Sequence, residues 1–368
     1  MFENLKVLEL ASVLAGPSVG QFFAELGADV IKVENLVNGG DVTRTWRSAT
    51  EKTDDRSAYF SSVNWGKRSL AIDLTTPTGR DVIYKLASKT DIVIASYKPG
   101  DDKKLGVAYE DLSAINKKII YGRITGYGPS NDRVGYDAVL QAESGFMSMN
   151  GEAGGAPIKM PVALIDVLAA HQLKEGLLIA LLRRQQAGEG SLVDVSLIQS
   201  AIASLVNQAS NWLVGGSIPQ RIGSLHPNIA PYGECFETHD NKKVLLAIGS
   251  DRQFNDLCDL LGIENNYTTN IDRVRNRKEL AEILSSKIRK LSSPQFVGDL
   301  HRLKIPAGLI HDMKEVFEMP EARDLLMSAS NLHGVRSFVA NSQLVTRNPL
   351  TPPPHLGEHT DEILASLR

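Results

Sequence analysis

Asp166 has the setting best suited to chemistry. It stands between Ile165 and Val167, where PVALI runs into a long apolar stretch that reads as a helix from Ile165 to about Gln186. Two roles for it are open. Aspartate is a preferred N-cap, accepting from the free amides of a helix's first turn. The same position favours an ionised carboxylate through the helix dipole, while apolar neighbours strip away its water. A charged, poorly hydrated carboxylate is a nucleophile toward a thioester or another activated acyl group. Cap and nucleophile are compatible. The other candidates are weaker. His171 lies one turn further on, and a lone helical histidine is usually packed or solvated. His226, in GSLHPNIAPYG, sits in a loop-like stretch from which it could reach a cleft. His355 and His359 are four apart, but PPPHLGEH has no helical pattern, so no metal site is expected. Lys67-Arg68 and Lys103-Lys104 read as solvated charges unless a phosphate-rich ligand approaches.

Such groups must be held in place, and the N-terminal half offers a repeating frame. KVLEL reads as a strand, GQFFAELG as a short helix closed by Gly27, and ADVIKVE as the next strand. SLAIDL, a helix from about Thr78 to Ser88, DIVIAS and IIYGRI continue the rhythm. Short apolar runs alternating with amphipathic helices predict a parallel sheet covered on both faces, an α/β fold. The first strand runs straight into VLAGPSVG and a helix, a junction where phosphates and nucleotides tend to sit. Glu34 ends the second strand, where a dinucleotide fold carries its ribose-binding acid. Gly16 and Gly20 alone do not make that fold's three-glycine fingerprint, so NAD is not expected. The loop is either a nucleotide-like site or a plain tight turn.

Beyond the long helix, VDVSLIQSAIASLVNQASNWLV reads as a second helical stretch ending at Gly215-Gly216. The Gly-, Pro- and Ser-rich segment from Gly216 to Tyr232 reads as a linker. ECFETHDNKKVLLAIGS reads as a hairpin turning at HDNK. Helices at about 251–262 and 275–291 make a small α+β unit with it, and TRNPLTPPPHLGEHTDEIL is a proline-stiffened connection into a last helix. At 368 residues, two domains are the natural expectation. A net charge of -3 argues against a nucleic-acid partner. Cys235 and Cys258 lack ligand-like spacing and are expected to be buried fillers in a reducing compartment. MFENLKVLEL is not signal-like, and the longest apolar run, Val162 to Leu182, is broken by Asp166, His171, Lys174 and Glu175. A cytoplasmic protein with no membrane partner is expected.

Taken as a set, these segments resemble the family III CoA-transferases, the family of formyl-CoA transferase and carnitine CoA-transferase. The resemblance starts in LKVLELASVLAGPSVGQFFAELGADVIKVE and GGDVTR. It runs through NWGKRSLAIDLTTPTGR, DIVIASYKPG, KKLGVAYEDLSAIN, IIYGRITGYG and YDAVLQAESGFMSMNG. It continues in PVALIDVLAAHQLKEGLLIALLRRQQAGEGSLVDVSL, HPNIAPYGECFET, KIPAGLIHDMKEVFEMPEAR and PPPHLGEHTDEIL, covering nearly the whole chain in order. It implies a large Rossmann-like, CoA-binding domain (1–200 plus 345–368) with a smaller α+β domain (224–318) inserted through linkers at 201–223 and 319–344. It also implies an intertwined, ring-like homodimer in which each chain threads the other. Acyl-CoA and a small carboxylic acid would be the substrates, with no tightly bound cofactor and no metal.

The resemblance also implies roles for individual residues. Asp166 matches the family's nucleophile, which would pass through an acyl anhydride and an aspartyl-CoA thioester. Leu14 and Ala15 match the loop beside the CoA thiol, and Ile72, Asp73, Leu74 and Thr75 the strand end that meets the nucleotide. Ser96, Tyr97 and Lys98 match the next loop, Lys104 a contact near the phosphates, and Tyr136 and Asp137 the pair bordering the acyl site. Departures exist: Ser96-Tyr97-Lys98 replaces Asn-Phe-Arg, Asn35 replaces an Arg, and Thr75 stands where Lys is common. Leu14 replaces the Gln of oxalate-handling members, and IGSLHP replaces their glycine-rich lid, which disfavours an oxalate or formate specialist. The alternative within the fold is an acyl-CoA racemase, whose proton-moving His–Asp pair is here Tyr136-Asp137 after Gly135. A tyrosine is a poor general base near neutral pH.

Overall fold

The computed structural model describes residues 2–329, 331–341, 343 and 348–368. Contacts divide the chain into two compact units, Met1–Phe146 with Lys159–Val214 and Arg323–Arg368, and Met147–Ile158 with Gly215–Ala322.

The first unit opens with β1 (Lys6–Leu10), α1 (Ala15–Glu25) and β2 (Asp29–Asn35). The single turn α2 (Ala58–Ser61) leads to β3 (Lys67–Ile72), α3 (Pro77–Ala87) and β4 (Ile92–Ala95). Short helices α4 (Asp101–Leu105) and α5 (Tyr109–Ile115) precede β5 (Ile120–Thr125). Then come α6 (Asp137–Glu143), the turn α7 (Phe146–Met149), α8 (Leu164–Ala187), β6 (Ser191–Ser196), α9 (Leu197–Ala203) and α10 (Val206–Leu213). The six strands are parallel in the order β3-β2-β1-β4-β5-β6, so the order reverses direction between β1 and β4. That gap is where α/β sheets bind ligands.

Alternation along the strands builds two cores. Val7, Val30, Ile92, Ile94 and Ile120 pack with Val19, Phe23, Leu173 and Leu177 from α1 and α8. Leu8, Leu10, Ile31, Leu70 and Val93 face the other way, onto Ile83, Leu86 and Leu112 of α3 and α5. Residues one apart thus enter opposite cores, which is why these strands read as unbroken apolar runs. α8 is a 24-residue helix closed by left-handed Gly188, about 36 Å long. The edge of β3 is covered by the returning C-terminal segment: Gly357 donates to Ser69 Oγ and His359 to the Ser69 carbonyl. This blunts an edge that would otherwise offer free backbone groups.

In the second unit, β7 (Tyr232–Glu237) and β8 (Lys243–Ala247) form the expected hairpin. α11 (Asp251–Leu261), α12 (Asn270–Arg275), α13 (Arg277–Ile288) and α14 (Ser293–Arg302) follow. β9 (Ala307–Leu309) then pairs antiparallel with β8, ahead of α15 (Met313–Glu318) and α16 (Pro320–Arg323). Phe236, Val244, Leu246, Phe254, Leu257, Leu284 and Phe296 fill its core. The hairpin of β10 (Leu326–Ala329) and β11 (Leu332–Val335) and the last helix α17 (Thr360–Ala365) fall in the first unit's residues.

Four sequence expectations change. SLVDVS is a strand, β6, because it pairs along β5 from Ile120↔Ser191 to Thr125↔Ser196; its short edge position gave it no apolar run to betray it. The stretch 201–223 holds the end of α9 and all of α10 before the chain becomes irregular, and the proposed boundary at 344/345 lies outside the described residues. Cys258 is buried but Cys235 is exposed, on the outward face of β7. Lys67 is not solvated: it is fully buried against Glu9, 2.7 Å away.

Gly16 and Gly20 prove to be packing residues, four apart on the face of α1 that meets the sheet. A Cβ on Gly16 would lie 2.4 Å from Ala11 Cβ, and one on Gly20 only 1.8 Å from Glu9 Oε2. Helix propensity alone favours Gly20→Ala by up to about 1 kcal/mol. The clash with a buried, ion-paired carboxylate reverses the sign, and the variant should lose about 1–3 kcal/mol. A urea denaturation midpoint above that of the unsubstituted protein would refute this account of the helix–sheet contact.

Candidate active site

Buried charge fixes the loop between β1 and α1. Lys32 and Glu9 are register partners on β2 and β1. Lys32 Nζ reaches Glu9 (3.0 Å), Asp41 (2.9 Å) and the Ala11 carbonyl (2.8 Å). Lys67 Nζ reaches Glu9 (2.7 Å), Asn64 Oδ1 (2.8 Å) and the Pro17 carbonyl (2.8 Å). Burial alone would discharge Lys32, but Asp41, Glu9 and Glu34 outweigh it and hold its pKa above the ordinary lysine value. For Lys67 burial wins over the pull of Glu9, and its pKa falls to about 8.

The loop itself is strained. Val13 has φ 71, a left-handed conformation that a β-branched residue rarely adopts. Its amide points at Asp41, 3.2 Å from Oδ2, and Asp41 also accepts from the Thr43 amide. α1 then starts at Ala15, with no side chain capping it and no acid in its first turn. Its free first-turn amides therefore offer partial positive charge to an anion.

These residues open onto a cavity of about 320 Å³ at the strand ends beside the β1–β4 reversal. Ser12 to Gly16 form one wall, Ser96 to Pro99 another, and Ile124 to Gly126 with Arg133 to Asp137 a third; Asp166 and Leu197 complete it. Of the residues singled out from sequence, Leu14, Ala15, Ser96, Tyr97, Lys98, Tyr136, Asp137 and Asp166 meet here. Ile72, Asp73, Leu74 and Thr75 do not line it. Ile72 and Leu74 are buried in the core, and the Asp73 carboxylate accepts from Thr75's own amide and hydroxyl. Lys104 is likewise elsewhere, exposed and paired with Asp101 at 2.8 Å.

Asp166 is not the N-cap. Ala163 holds that position, and Asp166 sits in the first turn as the third helical residue. The residue is 7% exposed. Among the described residues no hydrogen bond to its carboxylate is found, and its pKa is pushed up to about 7, first by burial and then by the charge of Asp137. The helix dipole pulls the other way, so burial is the stronger influence. Tyr59 feels the same charges: burial raises its hydroxyl to about 12, with Asp166, Asp137 and Asp41 adding. Sequence offered no signal for Tyr59, nor for Val13, since valine is among the last residues expected at positive φ.

The remaining sequence candidates are engaged elsewhere. Glu34 is clamped by Arg44 at 2.7 Å and by the Ser69 hydroxyl at 2.6 Å, which leaves it unavailable to a ribose. His226 Nδ1 accepts from the Asn228 amide, and His359 Nδ1 from that of Ser69. His355 pairs with Asp55, and Asp54 with Arg56. His171 is exposed on α8.

The raised pKa of Asp166 makes stability depend on pH. Its folded pKa near 7 lies above the unfolded value near 4. The protonated carboxyl therefore stabilises the fold below that lower value, and the contribution is lost as pH rises through about 7. Asp166→Asn cannot titrate. Between pH 4 and pH 8 its stability relative to the unsubstituted protein should improve by roughly 4 kcal/mol. Urea unfolding at the two pH values checks this; a pH-independent difference would exclude a buried, protonatable Asp166.

Known proteins resemble this chain along nearly its whole length. The model of "CoA-transferase family III" matches residues 2–360. The chain is 39% identical to the succinate–glutarate CoA-transferase of Agrobacterium fabrum, covering 99% of this chain and 95% of that protein. It is 34% identical to the human succinyl-CoA:glutarate CoA-transferase, over 98% of this chain and 85% of that one. A crystal structure of a CAIB/BAIF family protein from Brucella suis superposes with a TM-score of 0.87 at 36% identity, covering 99% and 98% of the two chains. A parallel sheet with a cavity at its strand reversal, matched over almost its whole length by these proteins, makes this chain a member of CoA-transferase family III and an enzyme that transfers CoA.

Proposed function

We propose that the enzyme exchanges CoA between a small dicarboxylyl-CoA and a free dicarboxylate, with Asp166 as the transiently acylated carboxylate. The observation that carries this reading is a buried carboxylate with no hydrogen-bond donor among the described residues, opening onto the cavity at the sheet reversal. An Asp166 oxygen attacks the thioester carbonyl of the donor; the C–S bond breaks and CoA leaves as thiolate, giving a mixed anhydride. The thiolate attacks the Asp166 carbonyl, expels the donor acid and leaves an aspartyl-CoA thioester. The acceptor carboxylate attacks that thioester, expels the thiolate and forms a second anhydride. The thiolate then takes the acceptor's acyl group and regenerates Asp166. Each step exchanges groups of similar energy, the gain offered by covalent catalysis. The uncapped start of α1 supports the thiolate or a carbonyl oxygen as charge develops.

Succinyl and glutaryl groups are the first choice because the relatives named for them are the similar proteins described above. Lys98 and Arg133 supply cations at the cavity for a second carboxylate or for CoA phosphates. The expected contacts of Leu14, Ala15, Ser96, Tyr97 and Lys98 with CoA accord with this. An inserted smaller domain at 224–318 and an intertwined homodimer also belong to the proposal. Ile179 and Leu182 on α8 are 67% and 64% exposed, and Leu213 on α10 is 77% exposed; an apolar surface of this kind calls for a cover. Two free cysteines suit a reducing, cytoplasmic setting. Among the described residues no helix is long and apolar enough to cross a membrane.

Two experiments test the reading. Succinyl-CoA with glutarate should give glutaryl-CoA and succinate by mass spectrometry. Trapping with hydroxylamine during turnover should leave a hydroxamate on Asp166, while Asp166→Asn should fall by several orders of magnitude in rate. Label on another residue, or an active Asp166→Asn, would sink the covalent role. Light scattering at micromolar concentration should give a mass of two chains; an active monomer would exclude the intertwined dimer.

A further inference from the structure

α8 carries Asp166, yet it has no cap of its own. Its N-cap is Ala163, whose side chain cannot accept a hydrogen bond. The missing acceptor comes from another helix. Asp137, the first residue of α6, takes the Ile165 amide on Oδ1 at 2.7 Å. Its Oδ2 accepts from Gln141 Nε2, also at 2.7 Å, one turn along α6. Gln141 is fully buried. Its Oε1 accepts from the Met160 amide at 2.8 Å, and its Nε2 also approaches the Met160 and Val162 carbonyls at 3.3 and 3.4 Å. Two side chains thus hold both the approach to α8 and its first turn.

We propose that Asp137 and Gln141 form a clamp that aims Asp166, with Asp137 a positioning residue rather than a CoA contact. This rests on the reading of Asp166 as the acylated carboxylate. Both Asp137 oxygens are already engaged within the protein, and the bonded amide belongs to the residue directly before Asp166. The clamp has a second effect, because it brings a carboxylate close enough to raise Asp166. Of the other elements around Asp166, α2 contributes Tyr59, the β4–α4 loop contributes Tyr97 and Lys98, and the loop before α6 contributes Arg133 and Tyr136. Arg133 is engaged with Glu143 at 2.5 Å. α9 and the first turn of α1 carry no titratable side chain.

The clamp separates into charge and reach, and two variants divide them. Asp137→Asn keeps the size and removes the charge; Asp137→Glu keeps the charge and lengthens the reach. With succinyl-CoA and glutarate, Asp137→Asn should move the acid limb of the kcat–pH profile down by about one unit, and lower kcat at its plateau about tenfold. Asp137→Glu should leave that limb in place but lose about tenfold in kcat. In both, KM for succinyl-CoA should change less than about threefold. A raised KM with kcat intact would make Asp137 a ligand contact and overturn the proposal. Lost activity with the pH limb unmoved in Asp137→Asn would reduce it to a structural role. If Asp137→Asn yields no soluble protein, Asp137→Glu decides, since an unchanged kcat refutes the clamp. Hydroxylamine labelling of the unsubstituted enzyme tests Asp166 separately, so failure of the nucleophile and failure of the clamp are distinguishable.

Discussion

The site depends on charge buried where an α/β sheet normally has only aliphatic side chains. Glu9 lies on β1 in the face that receives α1, between two lysines with no exposed side-chain surface. Removing such ions from water costs several kcal/mol each unless every group finds a partner. Here both ammonium groups find oxygen partners. An ammonium has three protons, and each lysine meets three oxygens, one of them a backbone carbonyl. Those carbonyls belong to Ala11, just before the loop that walls the cavity, and to Pro17 in the first turn of α1. Charge that would be a liability in the core becomes a pair of ties on the active-site loop. Asp41 adds a third by holding the Val13 amide, and so a backbone conformation that valine does not choose unaided.

The same economy bears on the reactive role proposed for Asp166. A carboxylate that gathers hydrogen bonds becomes a stable anion and a weak nucleophile. Asp166 instead has no donor among the described residues, while the neighbouring Asp137 carries the helix amide that an ordinary N-cap would hold. On the proposed reading, capping and nucleophilic attack, compatible in one residue on the sequence, are divided between two. The fold bears the resulting instability because α8 is anchored along its length by Ile165, Ala169, Leu173 and Leu177, all fully buried.

Much of this was legible in the chain. The strands of the first unit up to β5, the helix that carries Asp166, and the hairpin of β7 and β8 all follow from periodicity and turn residues, because those signals are local. Losses came where a distant segment decides. SLVDVS becomes a strand only because β5 offers an edge to it. Lys67 reads as a surface charge until β1 sets Glu9 beside it. Asp166 reads as a cap because nothing nearby in sequence announces Asp137 and Gln141. At the nucleotide end, Ile72 and Leu74 turn into the core, Asp73 and Thr75 bond within their own turn, and Lys104 pairs with Asp101, contacts that nothing local in the sequence announces.

Gly20 and Glu9 have a meaning for how such a chain can change over generations. The two positions share one volume, since any side chain at 20 intrudes on the carboxylate at 9. A shorter or uncharged residue at 9 would make room, but it would strand two lysines whose protons were counted on that carboxylate. Relief would then require replacing the lysines, and with them the ties to Ala11 and Pro17. The route from one acceptable set to another passes through several changes at once. The sheet–helix contact under the loop is therefore expected to drift as a block or not at all, while an exposed position at the cavity rim such as Tyr136 is under no such constraint.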